Sequence, residues 1–131
     1  MYKCTVEPED YVINKNLSKY HRSLLAQFRC GILPIEVELG RFRNIDLENR
    51  ICPMCHSDVE DEFHLVCLCD VYDDLRTVLY TKTSNLYPDF DSFDDVEKFM
   101  FINDNMQTAL SKFLYSAMKR RKECLYNSQD S

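Results

Sequence analysis

Between Ile51 and Asp70 the chain reads ICPMCHSDVEDEFHLVCLCD, and no other stretch constrains the fold as tightly. It holds four of the seven cysteines and two of the three histidines, so the remaining residues must be arranged around whatever these side chains bind. Cys52 and Cys55 have the C-x2-C spacing that puts two thiolates on one tight turn around a tetrahedral cation, and Pro53 stiffens that turn. His64 follows, and either Cys67 or Cys69 completes a set of four. In an unbroken helix His64 and Cys67 share a face, while Cys69 lies about 140° away at 3.6 residues per turn. Ligation by Cys69 therefore requires the helix to break before the DVYDDL segment, where Asp70, Asp73 and Asp74 supply charges suited to a new helix start. His56 directly follows Cys55, where the turn points it outward, and solvent exposure is expected. The bland alternative for the cysteines is a set of small buried hydrophobes. A chain of 131 residues builds only a modest core, and a structural metal contributes folding energy directly, so one structural Zn²⁺ is the expectation.

The segment MYKCTVEPED has no basic-then-apolar design, so the cysteines read as reduced thiols and metal ligands of an intracellular protein rather than as a disulfide framework. Nothing in the residues separates nucleus from cytoplasm. The chain has no apolar run of about 18 residues, so no membrane partner is expected. Two glycines and four prolines supply little turn chemistry for a many-stranded sheet, which favours helices. Leu17, Tyr20, Leu24, Leu25 and Phe28 recur at helical spacing, with a stop expected near Gly31 and Pro34. PIEVELGRF has period-2 features and reads as a short strand or extended arm. Val71, Tyr72, Leu75, Val78 and Leu79 mark a second helix. DSFDDVEKFMFI marks a third, capped by Asp91 or Ser92. Met106, Leu110, Phe113, Leu114, Ala117 and Met118 define a fourth, expected to end in KRRK. The expected fold is mainly α: a small helical bundle over residues 12–126 with one cysteine-rich insert at 50–70, a flexible lead-in at 1–11 and a flexible tail at 127–131.

Charge divides the chain sharply. Residues 12–50 carry seven Lys/Arg against four Asp/Glu, residues 53–104 three against thirteen, and residues 105–131 five against two. Basic flanks can form a phosphate-binding surface if they converge, whereas the acidic middle cannot.

The stretch from Leu24 to Arg76 resembles the segment found downstream of the reverse transcriptase in LINE-type (non-LTR) retrotransposons and in related stand-alone reading frames. The resemblance rests on Phe28-Arg29-x-Gly31, Gly40-Arg41-Phe42, Arg50 with Cys52 and Cys55, Val59 to Glu62 with His64, Cys69, and Tyr72 with Leu75-Arg76. It implies that the fourth ligand is Cys69, giving a CCHC zinc knuckle of Cys52, Cys55, His64 and Cys69. Where that family carries a proline after the last cysteine, this chain has Asp70, which enforces the helix break less strongly. The resemblance also implies a module that lies beside a reverse-transcriptase core within a parent polyprotein and contacts RNA or DNA. Arg41, Phe42, Arg43 and Arg50 are the candidate contacts near the knuckle, with Phe42 placed to stack on a base, and Lys119, Arg120, Arg121 and Lys122 form a second candidate patch.

Catalysis is not expected. VYDDL echoes the polymerase box of an aromatic residue, any residue and two aspartates, but Tyr72 abuts Asp73, so the register is off by one. A zinc deaminase needs H-x-E upstream of P-C-x-x-C, and His21 is followed by Arg22 and Ser23. A cation with four protein ligands keeps no open position for a water or a small-molecule substrate. The rival reading is a zinc-stabilised protein-interaction domain or an inert retroelement fragment that binds no nucleic acid, which the acidic middle favours.

Overall fold

The computed structural model describes residues 19–129. The lead-in at 1–11, Leu17 and residues 130–131 lie outside the described residues. Five α-helices are present among them: α1 (Lys19–Cys30), α2 (Glu36–Phe42), α3 (Asp73–Leu86), α4 (Asp95–Asn105) and α5 (Gln107–Gln129). Short 3₁₀ turns at Leu47–Asn49, Asp70–Tyr72 and Pro88–Ser92 join them, and His64–Leu68 forms a π-helical turn. The described residues contain no strand, only one antiparallel bridge between Ile51 and Val59. No described helix is long and apolar enough to cross a membrane.

The longest helix, α5, is the spine. Its buried residues Leu110, Phe113, Leu114 and Ala117 share one core with Leu24, Leu25 and Phe28 of α1 and Leu79 of α3. The same core takes in Cys52, Leu65, Val66, Cys67, Cys69 and Tyr72, so the cysteine-rich segment packs within the globule rather than hanging from it. Helix α1 stops where expected. Gly31 takes a positive φ of 71°, and Ile32 N–H donates to the Gln27 carbonyl at 2.9 Å, closing the helix with a Schellman-type cap.

Three expectations are corrected. PIEVELGRF is neither strand nor arm: Glu36–Phe42 is helical. The backbone N–H of Glu36 donates to Glu60 Oε1 at 2.7 Å and that of Val37 to the Glu60 carbonyl at 2.9 Å, so the start of α2 is capped by a residue 24 positions downstream. Helix α4 is capped by Asp94 and not by Asp91 or Ser92. Asp94 accepts from Glu97 N–H at 2.8 Å while Glu97 accepts from Asp94 N–H at 3.2 Å, a reciprocal capping box. Asp91 and Ser92 are taken up in the preceding 3₁₀ turn, and Asp91 accepts from Ser84 Oγ. Finally, KRRK does not terminate the last helix, which runs on to Gln129, past the boundary at 127 from which a flexible tail was expected.

Gly40 marks a close approach. A methyl group there would sit 2.5 Å from Cγ of Arg50, whose guanidinium is pinned by hydrogen bonds to the Ile45 carbonyl at 2.8 Å and the Val37 carbonyl at 2.9 Å. The clash falls near the base of a held side chain, so Arg50 cannot simply swing away. Gly40→Ala is expected to destabilise the protein by about 1–3 kcal/mol in urea unfolding. A neutral or stabilising result would mean that Arg50 is not locked against α2.

Candidate metal centre

The segment from Arg50 to Glu60 folds back on itself as a narrow loop. Ile51 and Val59 bridge across it, Cys52 N–H donates to the Asp58 carbonyl at 2.8 Å, and Glu60 N–H donates to the Arg50 carbonyl at 3.0 Å. At the tip, His56 N–H donates to the Cys52 carbonyl at 2.9 Å, and His56 has φ of 60° with an exposed side chain, as expected from its place on the turn. The loop thus brings Cys52 and Cys55 to one side.

The other half of the site comes from the helical turn that follows. Asp61 Oδ1 accepts from His64 N–H at 2.8 Å and starts that turn. Cys69 N–H then donates to the His64 carbonyl at 2.8 Å, five residues back, which is π-helical geometry. The widened turn swings Cys69 from the far side of an ideal α-helix back towards His64. The chain becomes extended at Cys69, with ψ of 119°, before a 3₁₀ turn leads into α3. The break needed for Cys69 to join the set is therefore present. Cys67 turns away, its Sγ 3.7 Å from the Asp95 carbonyl of α4.

Cys52, Cys55, His64 and Cys69 each bring one donor atom to a common point, all within 4.8 Å of one another, and together they could hold a metal ion. Sγ of Cys52 and Sγ of Cys69 are 4.0 Å apart, and Sγ of Cys55 is 3.2 Å from Nε2 of His64. His64 is buried, and its Nδ1 has no hydrogen-bond partner among the described residues, so Nε2 is the nitrogen presented to the thiols. Burial pushes the Cys52 thiol up and the Cys69 thiol up to about 12. The Cys55 thiol goes the other way. Its partial burial is outweighed by hydrogen bonds from the Ser57 backbone and from neighbouring side chains.

Arginines hold the frame of the site. Arg76, buried, donates through Nε to the Val66 carbonyl at 2.8 Å and through Nη2 to the Cys69 carbonyl at 2.5 Å, while Asp73 pairs with its Nη1. Of Arg50 and Arg76, only Arg76 hydrogen-bonds to one of the four clustered residues. Arg50 is spent on Val37 and Ile45.

Glu60 is the residue that spacing alone misses. It is fully buried, its carboxylate lies 3.8 Å from Cys52 Sγ, and Arg121 of α5 grips both its oxygens at 2.8 and 2.9 Å. One buried carboxylate thus touches the cysteine loop, caps α2 and anchors α5. In the sequence it is one of three consecutive acids, and its cationic partner lies 61 positions away, so no local pattern points to it.

The candidate nucleic-acid contacts separate into three kinds. Arg41, Phe42 and Arg43 are exposed at the end of α2: Phe42 is 74% accessible, Arg41 sits 5.4 Å from its ring centroid and pairs with Glu38 at 2.8 Å, and Arg43 lies 3.5 Å from Glu36. Phe42 is therefore no core residue. Arg50, Arg120 and Arg121 are committed internally. Arg121 is buried on Glu60, and Arg120 holds both Asp74 oxygens at 2.6 and 2.8 Å as well as the Val71 carbonyl at 2.9 Å. This corrects the expectation of a continuous KRRK patch. Lys119 and Lys122 remain exposed and form no ion pair with the described residues.

The hydrogen bonds from Arg120 hold the Asp74 carboxyl down to about 2. A carboxylate with a depressed native pKa contributes its full stabilisation above the unfolded value near 3.9 and loses it as pH falls through about 2. A carbon-detected NMR titration is expected to place the Asp74 midpoint near the lower value. A midpoint near 3.9 would mean that the Arg120 clamp does not persist in solution.

Compared with known proteins, the chain matches no family model, no curated protein and no solved structure.

Proposed function

We propose that the chain is a non-catalytic zinc-binding module whose metal is structural and whose surface assists RNA or DNA binding. The observation that carries the zinc reading is the convergence of Cys52, Cys55, His64 and Cys69 within 4.8 Å. Three thiols and one imidazole are a common structural zinc set. A tetrahedral ion with sulfur at about 2.3 Å and nitrogen at about 2.0–2.1 Å spaces its donors roughly 3.5–3.8 Å apart. The separations of 3.2 and 4.0 Å lie on either side of that range. Four protein donors fill the coordination sphere and leave no position for a reacting water, which supports a structural role. The ion would tie the loop after Arg50 to the turn before α3.

The nucleic-acid part rests on the resemblance to the segment downstream of the non-LTR retrotransposon reverse transcriptase. On that reading the chain is a retroelement-derived knuckle of CCHC type, and the reverse-transcriptase core of a parent polyprotein is a natural partner. Exposed Arg41, Phe42, Arg43, Lys119 and Lys122 are compatible with phosphate and base contact. A second reading has its own observation. Arg120 and Arg121 are consumed by Asp74 and Glu60, which removes half of KRRK from any phosphate surface and favours a zinc-stabilised protein-interaction domain.

Titrating the zinc-loaded chain into single-stranded RNA across a salt series separates the two. Sub-micromolar affinity at about 50 mM salt that falls steeply by about 200 mM is the expected result, because phosphate contacts release counterions. No binding at low salt leaves the interaction domain as the function.

A further inference from the structure

A groove of about 980 Å³ is lined by α1 and α5 together with Pro34 and Leu39. On α5, Tyr115, Lys119, Lys122 and Tyr126 follow one another at intervals of four, three and four residues. At 3.6 residues per turn these four fall within about 60° of arc and form a stripe about 16 Å long. From the first turn of α1, Tyr20 meets Tyr115 edge-on with ring centroids 5.3 Å apart, and His21 lies 4.9 Å from the same ring. Tyr20 and Tyr126 are 60% and 64% accessible, and both lysines are exposed. None of the described residues lining the groove is acidic, in a chain whose net charge is -6.

The split within KRRK produces this surface. Arg120 pairs with Asp74, and Arg121, which also lines the groove, is held on Glu60. Lys119 and Lys122 face the groove between two tyrosines.

We infer that this groove is a docking track for a single strand of nucleic acid, with bases stacked on Tyr20, Tyr115 and Tyr126 and phosphates on Lys119 and Lys122. The inference rests on the nucleic-acid reading of the preceding section and names its surface. Aromatic faces beside a cationic stretch are what a base-tolerant single-strand site uses. An acidic peptide would engage the lysines but leave the exposed tyrosine faces unused. A stripe of about 16 Å accommodates roughly five nucleotides at the 3.4 Å spacing of a stacked strand. Duplex is disfavoured, because the bases must be open to stack.

The chain has no tryptophan, so its intrinsic fluorescence comes from tyrosine and reports directly on stacking. The test titrates the zinc-loaded chain with a fluorescein-labelled oligouridylate of twelve nucleotides, reading anisotropy, and with the unlabelled strand, reading tyrosine quenching. Tyr126→Ala is expected to weaken binding at least fivefold and to reduce the quenching, while Tyr126→Phe binds like the native chain. Lys119→Ala/Lys122→Ala is expected to lower the slope of log affinity against log salt by about 1.4, at about 0.7 per phosphate contact on a single strand. All three side chains are exposed, and circular dichroism checks that each variant keeps its helices. If the native chain binds but these variants bind equally well, while Arg41→Ala/Arg43→Ala loses affinity, nucleic-acid binding stands and the groove is not its site. If the native chain binds no strand at low salt, the functional reading and the groove fall together. Equal binding of a polyglutamate peptide, competing with the oligonucleotide and insensitive to Tyr126→Ala, would also overturn the inference.

Discussion

Cys69→Ser is expected to strip the metal from the purified chain and to unfold at least residues 50–80, whereas Cys67→Ser keeps it. The two cysteines are two residues apart and both buried, yet only Cys69 Sγ sits 4.0 Å from Cys52 Sγ; Cys67 Sγ points to the Asp95 carbonyl. Metal affinity in a site of this kind is folding energy. Structural zinc contributes about 10–16 kcal/mol in small zinc-finger peptides, against a total stability of about 5–15 kcal/mol for an ordinary domain. Losing one of four ligands therefore removes more than the protein can spare. Cys52→Ser is expected to behave like Cys69→Ser. Metal-to-protein ratios near one for the native chain and Cys67→Ser, and near zero for the other two, are the expected values, with a matching loss of helical ellipticity. A chain that releases metal on Cys67→Ser and retains it on Cys69→Ser would show that the turn after His64 is α-helical and that the other thiol is the ligand. If neither change alters metal content, the cluster is only core.

The second large effect concerns Glu60 and Arg121. Removing one partner of a buried ion pair leaves the other charge without compensation, at a typical cost of about 3–5 kcal/mol. Glu60→Gln and Arg121→Met are each expected to lose stability in that range in urea unfolding at saturating zinc. Glu60→Gln keeps an acceptor for the Glu36 amide but removes the nearer of the two carboxylates beside Arg121, leaving only Glu36 Oε2 at 3.6 Å. The double replacement Glu60→Leu/Arg121→Met buries no unpaired charge and is expected to cost less than the sum of the single changes. The loss of the α2 cap keeps it below the native chain. Single substitutions costing under about 1 kcal/mol would show that the pair is solvated and that Glu60 does not join the cysteine loop to α5.

The parts of this structure legible in the sequence are those written locally. The amphipathic spacing of α1, α3 and α5 and the Gly31 stop concern residues within a turn or two of each other. The same holds for the outward-facing His56. The gathering of Cys52, Cys55 and His64 was legible from spacing, while the choice of Cys69 over Cys67 came from the resemblance, since the spacing left both open. The mechanism that brings Cys69 round, a π-helical turn, has no residue signature in HLVCL. Helix α2 was unreadable for a similar reason: the alternating Ile35, Val37 and Leu39 suggest a strand, and the carboxylate that caps the helix arrives from Glu60. Asp94 is not singled out as a cap by its sequence, because Asp91 and Ser92, equally good residues for that role, come first in the chain. Arg121 looked like surface charge because burial depends on a partner in a different element.

The Glu60–Arg121 pair also sets an order of events during synthesis. Ribosomes add about 5–20 residues per second, so the arginine emerges roughly 3–12 seconds after the glutamate it neutralises, 61 residues upstream. Throughout that interval the carboxylate of Glu60 has no guanidinium to compensate its burial beside Cys52, so the cap of α2 is expected to settle late. The loop that carries Cys52 and Cys55 is expected to pack fully only once α5 has cleared the exit tunnel. Closure of the cysteine loop is thereby tied to the synthesis of α5, and a chain cut before Arg121 is expected to leave Glu60 without the guanidinium that holds it.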